Sequence, residues 1–257
     1  RMESDMTKGF MVAYLVFSAA VSCASPSLAA EIRVLAANAL KEPYLELVSN
    51  FEKSTGHKVT TLWGGTEAID KRIRGGEVVD VVLIAAANID RLILDGKLVS
   101  GSRADFAKSG IGMAVRSGWP KPDVSSVEAI RRAVLEANTV AYSSGPSGFY
   151  IADLFKKMGI AEQITDRVRQ PASGTQVGEL LVRGEAELGF QQISELLHVK
   201  GIDYLGPLPP EIQSITIYAA ALHAASPVPD AAKALMQSLT APDAKSILKK
   251  IGMESGK

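Results

Sequence analysis

Short, continuously apolar runs alternate with amphipathic stretches along most of the chain. Residues 32–37 predict a buried strand, and in residues 43–54 the apolar side chains recur at the 3.6-residue spacing of a helix. Further strands are predicted at residues 57–62 and 78–86, and the second of these is too apolar to be half exposed. Continuous apolar strands that alternate with helices are typical of a parallel sheet covered on both faces.

The same alternation continues in the second half of the chain. The capping box Ser125-Ser126-Val127-Glu128 opens a predicted helix, and predicted strands follow at residues 139–142 and 188–193, with two helices between them. Two long β-like runs remain, residues 110–116 and 212–223, and the chain ends in two predicted helices.

This order of elements predicts an α/β protein with two lobes, each a mostly parallel sheet flanked by helices. The two long β-like runs would be the hinge strands between the lobes. Lobe 1 would contain residues 30–112 and 216–257, and lobe 2 would contain residues 113–215. Because open parallel sheets bind ligands at the carboxyl ends of their strands, both lobes can direct loops into a cleft between them.

The N-terminal segment has the layout of a secretory signal. Lys8 precedes an apolar run at residues 10–21, and Ser27-Leu28-Ala29 fits the small-x-small rule for cleavage. We therefore expect residues 1–29 to be a signal peptide, cleaved after Ala29 or Ala30, and the mature protein to reach the periplasm. The alternative is a membrane anchor, although the apolar run is shorter than the ~20 residues that a span needs.

Charge and composition exclude several classes of function. The chain has 28 Lys+Arg and 28 Asp+Glu, so it lacks the basic excess of a nucleic-acid binder. It contains neither a P-loop nor a G-x-G-x-x-G after a strand. The only cysteine, Cys23, lies within the predicted signal, where a lipidation site is the alternative; the mature chain would have no disulfide. The histidines His57, His198 and His223 are far apart, so we expect no zinc site and no cofactor.

Small polar loops follow the predicted strands and precede the predicted helices. They are Asn38-Ala39, Gly64-Gly65-Thr66, residues 143–148 and residues 172–175. Helix N-termini have unpaired N–H groups and partial positive charge, so several such loops together can bind an anion without Lys or Arg. Plain helix capping explains any one of these loops equally well. The loop at residues 143–148 has more small and turn residues than one cap needs.

Several short motifs, in this order and spacing, resemble the periplasmic molybdate-binding protein family. They are Val34-Leu35-Ala36-Ala37, Phe51-Glu52-Lys53, Gly75-Gly76-Glu77-Val78-Val79-Asp80, Pro146-Ser147-Gly148-Phe149-Tyr150 and Arg183-Gly184-Glu185-Ala186-Glu187-Leu188-Gly189. The resemblance covers nearly all of the mature chain and implies the two-lobed fold of class II periplasmic binding proteins. It also implies a monomer that binds a small anion for the membrane subunit of an ABC importer.

The resemblance further implies which residues bind the anion. The family uses two serine hydroxyls, which fall on Ala39 and Thr66 here, and backbone N–H groups, which fall on Ser147 and Gly174. Its tyrosine falls on Gln192, so two positions depart from the pattern, which favours a carboxylate over molybdate. The predicted binding residues are Asn38, Ala39, Gly65, Thr66, Ser144, Ser147, Gly148, Gly174 and Gln192.

The variant pattern leaves three functions open. The first of these functions is a binding protein for a small anion, and the third is a protein that only interacts with other proteins. The second is an enzyme, since Trp63-Gly64-Gly65-Thr66 with Ser144-Gly145-Pro146-Ser147-Gly148 looks like a branch of the family that includes aconitate isomerase. That chemistry needs a base for allylic proton transfer, for which Glu67, Tyr150 and His223 are candidates.

Overall fold

The computed structural model describes residues 29–172 and 174–256. The predicted signal peptide, apart from its last residue, and Cys23 lie outside the described residues. In the part of the chain that is described, no helix is both long enough and apolar enough to cross a lipid bilayer.

The chain builds one lobe, crosses to a second and then returns to the first. It begins with β1 (Glu31–Ala37), α1 (Lys41–Thr55), β2 (Lys58–Gly64), α2 (Thr66–Arg74), β3 (Val81–Ala85), α3 (Ala86–Leu94) and β4 (Ala104–Ser109). The second lobe contains β5 (Ile111–Arg116), α4 (Val127–Glu136), β6 (Val140–Tyr142), α5 (Pro146–Lys157), α6 (Ala161–Ile164), β7 (Val168–Arg169), α7 (Val177–Val182), β8 (Leu188–Gln192), α8 (Ile193–Leu196) and β9 (Ile202–Pro207). The chain ends in the first lobe with β10 (Thr216–Leu222), α9 (Pro229–Leu239), α10 (Ala244–Lys250) and β11 (Glu254–Ser255).

Local sequence explains the main elements. In α1 the residues Tyr44, Leu47 and Phe51 are buried on one face, and the helix ends at Gly56, whose φ of 75° suits a residue without a Cβ. All five residues of β3 are buried, as its continuous apolar sequence predicts. The N-cap of α4 is Ser126, one residue later than the capping box predicts, and its hydroxyl accepts a hydrogen bond from the N–H of Ala129.

The two sheets are mixed rather than mostly parallel. Their strand orders are β11-β4-β10-β3-β1-β2 and β7-β6-β8-β5-β9. Among the described strands, the parallel pairs are β1 with β2 and β3, and β6 with β7 and β8. The strands that carry the chain between the lobes are antiparallel to their neighbours. The outgoing β4 lies beside the returning β10, and the arriving β5 lies beside the departing β9, so their directions must be opposite.

Two crossings join the lobes. The first passes through Gly110 between β4 and β5, and the second lies between β9 and β10. The sequence pattern does not predict β4 or β9, and it extends β10 too far, because Pro210–Ile212 forms a short 3-10 turn. Each lobe has its own apolar core, with Tyr44 and Phe106 fully buried in the first and Phe155 and Phe190 in the second.

Candidate functional site

A small cavity lies between the lobes, where the polar loops meet. Its volume, counted as the space open to the centre of a water molecule, is about 50 Å³. That is room for roughly three to five waters, the scale of a small anion. The lining residues are Ala37, Asn38, Ala39, Gly64, Gly65, Thr66, Glu67, Ser143, Ser144, Gly145, Pro146, Ser147, Gly174, Thr175, Gln191, Gln192, Glu195 and Tyr218.

The fold brings nearly all of the predicted binding residues to this cavity. They lie at the ends of β1, β2, β6 and β8 and at the starts of the helices that follow, together with the loop before α7. Gly148 is the exception, because it lies inside the first turn of α5 and does not line the cavity. Its N–H donates to Ser143 Oγ at 3.1 Å, so it stabilises the loop rather than facing the cavity.

Thr66 supplies a hydroxyl from the first lobe. It is the first residue of α2, and only 3% of its surface is exposed. Its Oγ1 accepts a long hydrogen bond of 3.4 Å from the N–H of Ala85. Because that bond uses only a lone pair, the hydroxyl proton of Thr66 remains available to an anion in the cavity.

Ser147 supplies a second hydroxyl, from the other lobe. Ser143 Oγ accepts from the N–H groups of Gly148 at 3.1 Å and Gly145 at 3.4 Å, which fills both of its lone pairs. The 2.8 Å contact between the hydroxyls of Ser143 and Ser147 is therefore donated by Ser143. The hydroxyl proton of Ser147 is left for a ligand, as is its N–H in the first turn of α5.

Asn38 connects the two lobes at the wall of the cavity. Its Nδ2 donates to the carbonyl oxygen of Gly174 at 2.9 Å, although the two residues are 136 positions apart in sequence. Gly174 has a φ of 96°, a left-handed conformation that favours glycine. The lining of the cavity therefore includes a direct contact between the lobes.

Gln192 lies in the cavity wall, but its amide is bound to the hinge rather than free for a ligand. In the orientation that satisfies both ends of the amide, the nitrogen donates to the carbonyl oxygens of Ser109 at 3.1 Å and Gly110 at 3.2 Å. The oxygen accepts from the hydroxyl of Thr216 at 2.8 Å. These partners belong to both crossings, so Gln192, on which the resemblance predicts the family's tyrosine to fall, connects the two crossings by hydrogen bonds.

Two further residues of the cavity, Glu195 and Tyr218, are missing from the sequence prediction. Glu195 lies on α8, directly after β8, and its carboxyl group is enclosed even though the residue as a whole is partly exposed. Burial raises the pKa of Glu195 to about 7, while a hydrogen bond with Gln191 acts in the opposite direction. Tyr218 lies on β10, and burial, followed by the nearby Glu195 carboxyl, raises its pKa well above the usual value.

The three candidate bases of the sequence analysis occupy different places. Glu67 lines the cavity at the start of α2, where its Oε1 accepts from Asn88 Nδ2 at 3.2 Å. Tyr150 instead donates its hydroxyl to the carbonyl oxygen of Ile212 at 2.9 Å, outside the cavity. His223 also lies outside it, and burial lowers its pKa.

The described lining of the cavity contains no cationic side chain. No described residue of its lining is Lys, Arg or His, whereas two are glutamates. Over residues 29–172 and 174–256, no group of three or more His, Cys, Asp or Glu side chains is arranged to hold a metal ion. An anion would therefore be bound by hydroxyls, backbone N–H groups and helix N-termini.

The sequence is similar to known solute-binding proteins and to one enzyme. Residues 32–254 match the family of bacterial extracellular solute-binding proteins. The chain is 36% identical to an aconitate isomerase from Pseudomonas sp over 251 residues, 93% of this chain and 95% of that protein. It is 31% identical to the molybdate-binding protein of Azotobacter vinelandii over 184 residues, 68% of this chain and 69% of that protein.

Solved structures share the fold. The periplasmic molybdate-binding protein of Azotobacter vinelandii superimposes with a TM-score of 0.74 at 20% identity, covering 86% of this chain and 98% of that one. The sulfate-binding protein of Mycobacterium tuberculosis H37Rv has a TM-score of 0.70 at 19% identity, covering 88% and 87%. These structures confirm the two-lobed fold of periplasmic binding proteins.

Proposed function

Because the chain belongs to the family of bacterial extracellular solute-binding proteins, we propose that its interlobe cavity binds a small carboxylate anion. The observation that carries this proposal is the convergence of neutral donors from both lobes on one cavity. Thr66 contributes from the first lobe, and Ser147 and the first turn of α5 contribute from the second. Such preorganised donors bind an anion without a paired cation.

The carboxylate is favoured over molybdate by the residues that replace the family's donors. Ala39 lines the cavity without a hydroxyl, and the amide of Gln192 is bound to the hinge. Each missing hydrogen bond to a charged group weakens binding by about 1.5–3 kcal/mol, roughly ten- to hundredfold in affinity. The smaller Ala39 also leaves more room than serine for a ligand larger than an oxyanion.

The family also supports a cellular setting. We propose that the mature protein is periplasmic, following cleavage of the predicted signal at residues 1–29, and that it works as a monomer. In that role it would deliver its ligand to the membrane subunit of an ABC importer.

Calorimetric titration tests the choice of ligand. With purified mature protein, we expect citrate, cis-aconitate or trans-aconitate to bind with micromolar or tighter affinity. Molybdate, tungstate and sulfate should bind at least about a hundredfold more weakly, because two donors of the oxyanion site are missing. Tight molybdate binding with no response to any carboxylate would contradict the proposal.

A second candidate function is isomerisation of the bound ligand. It is favoured by a specific observation, the carboxyl group of Glu195 inside the cavity, and by similarity to an aconitate isomerase over nearly the whole of both chains. Interconversion of cis- and trans-aconitate needs a proton to be removed from the methylene carbon and returned at the other end of the allylic system. Incubation of the protein with trans-aconitate, followed by proton NMR, would detect the cis isomer directly.

A further inference from the structure

Burial makes the position of Glu195 energetically unfavourable for a carboxyl group, which points to a functional role. It lines a cavity built for anions, and its carboxyl is enclosed. Among the described residues, no lysine or arginine is close enough to affect its pKa, so no ion pair offsets its burial. A buried ionisable group without a charged partner is costly, and such groups are concentrated at functional sites.

We propose that Glu195 is the catalytic base of the cavity, which removes a proton from a bound unsaturated carboxylate and returns it to a different carbon. The proposal rests on the second candidate function, isomerisation, and assigns its proton transfer to one residue. The placement of Glu195 supports the assignment, because it lies on α8 immediately after β8, at the strand end that opens into the cavity.

The other acidic groups of the cavity are less suited to this task. Glu67 belongs to the first lobe, at the start of α2, and its Oε1 accepts a hydrogen bond from Asn88 Nδ2 of the same lobe. Tyr218 has its pKa raised well above the usual value by burial and by Glu195, so it stays protonated at neutral pH and acts as a donor. Glu195, with its pKa raised to about 7, exchanges a proton readily in either direction.

The charged groups on the elements around α8 are occupied elsewhere. On α7, the exposed Glu179 pairs with Arg183 at 3.5 Å. On β9, Asp203 pairs with Lys121 at 3.2 Å, and its neighbour Tyr204 has its pKa raised by burial. The 3-10 turn Asn38–Leu40 and β8 carry no ionisable side chain, and Arg116 is exposed at the end of β5. In the described lining of the cavity, the other ionisable side chains are Tyr218 and Glu67.

The proposed reaction is balanced without a cofactor. The Glu195 carboxylate takes a proton from the methylene carbon, and the electron pair of that C–H bond forms a new double bond to the central carbon. The former double bond opens towards the far carbon, which takes the proton back from Glu195. The carboxylate is regenerated, and nothing is oxidised or reduced. The delocalised negative charge of the intermediate is held by Thr66, Ser147 and the phenol of Tyr218.

Glu195→Gln tests the assignment, because it keeps the shape and hydrogen bonding of the side chain but removes the base. We expect conversion of trans-aconitate to fall by at least about a hundredfold, the usual contribution of general acid–base catalysis. Binding of citrate, measured by calorimetry, should be unchanged or tighter, since a repelling charge is lost. Glu179→Gln is the matched control on the surface of α7 and should retain wild-type turnover and citrate binding.

The pH dependence provides a second readout on the wild-type protein. Only the deprotonated carboxyl can accept the proton, so kcat/KM should rise about tenfold per pH unit below about 7 and level off above it. A profile that is flat between pH 6 and 8 contradicts the assignment.

The remaining outcomes distinguish a failure of the assignment of Glu195 from a failure of the proposed isomerisation. Full turnover in Glu195→Gln would show that Glu195 is not the base while isomerisation stands, most clearly if Glu67→Gln is inactive. Wild-type protein that binds citrate but never isomerises trans-aconitate would overturn both isomerisation and the role of Glu195, and would leave carboxylate binding in place. Loss of citrate binding in Glu195→Gln would assign the residue to the binding site instead.

Discussion

A Gly148→Ala variant is expected to lose carboxylate binding and about 3 kcal/mol or more of stability. A Cβ at this position would lie 1.5 Å from the backbone carbonyl oxygen of Ser143, so the loop and the first turn of α5 must move apart. That movement would break the bonds from Gly148 N–H to Ser143 Oγ and from Ser143 to Ser147. The hydroxyl of Ser147 would then no longer be oriented towards the cavity. Thermal denaturation and calorimetry with citrate measure the two effects.

Gly145→Ala is the matched control for stability. Gly145 precedes Pro146 with extended backbone at φ −115°, which alanine adopts readily, and the nearest atom to an added Cβ is 4.0 Å away. We expect a loss of about 1 kcal/mol or less, because glycine is a better N-cap than alanine. Equal melting temperatures for the two variants would show that the close approach at Gly148 is not essential.

A Thr66→Val variant is expected to bind citrate about ten- to hundredfold more weakly than the wild type. Valine has nearly the same shape but lacks the hydroxyl whose proton is left free by the bond from Ala85. Losing one donor to a charged group corresponds to about 1.5–3 kcal/mol of binding energy. Calorimetry measures the loss of affinity, and circular dichroism checks that the fold is retained.

Thr66→Ser keeps the hydroxyl and removes only a methyl group, so its citrate affinity should stay within about fivefold of the wild type. Thr66 is buried at the start of α2, and the change leaves a gap of only one methyl group there. If Thr66→Val and Thr66→Ser bind equally well, the hydroxyl does not contact the ligand.

The alternation of apolar runs and amphipathic stretches is enough to predict the α/β class and two lobes. It fails for β4 and β9, because these strands are interrupted by polar and glycine residues at the crossings. It also fails for the direction of the strands, since pairing between β4 and β10 joins segments more than a hundred residues apart. Hydrophobic periodicity indicates which face of a strand is buried, but it does not indicate which strand it pairs with.

The cavity was predictable where it is built from loops at strand ends, and unpredictable where distant residues complete it. Thr66 and Ser147 lie at the starts of the helices that come after β2 and β6, so the rule for parallel sheets locates them. Glu195 follows β8 by three positions and could have been included by the same rule. Tyr218 enters from the returning strand β10, and no local motif marks it.

The amide of Gln192 shows a limit of inferring the role of a residue from its position in a family. Its position in the wall of the cavity agrees with the resemblance, but its hydrogen bonds go to Ser109, Gly110 and Thr216 at the hinge. Glutamine is shorter than the tyrosine that the resemblance implies at this position, and its amide is bound to the hinge. The amide of Gln192 bonds to the hinge and so does not replace the donor that a tyrosine would supply to the ligand. One side chain therefore affects both the ligand preference and the hinge.

A crystal structure of the mature protein grown with saturating trans-aconitate tests the central claim most directly. We expect one tricarboxylate between the lobes, with carboxylate oxygens within about 3 Å of the Thr66 hydroxyl and of the Ser147 hydroxyl or N–H. The ligand should be covered by the contact between Asn38 and Gly174. A cavity that contains only water under these conditions, or a ligand bound away from Thr66 and Ser147, would contradict it.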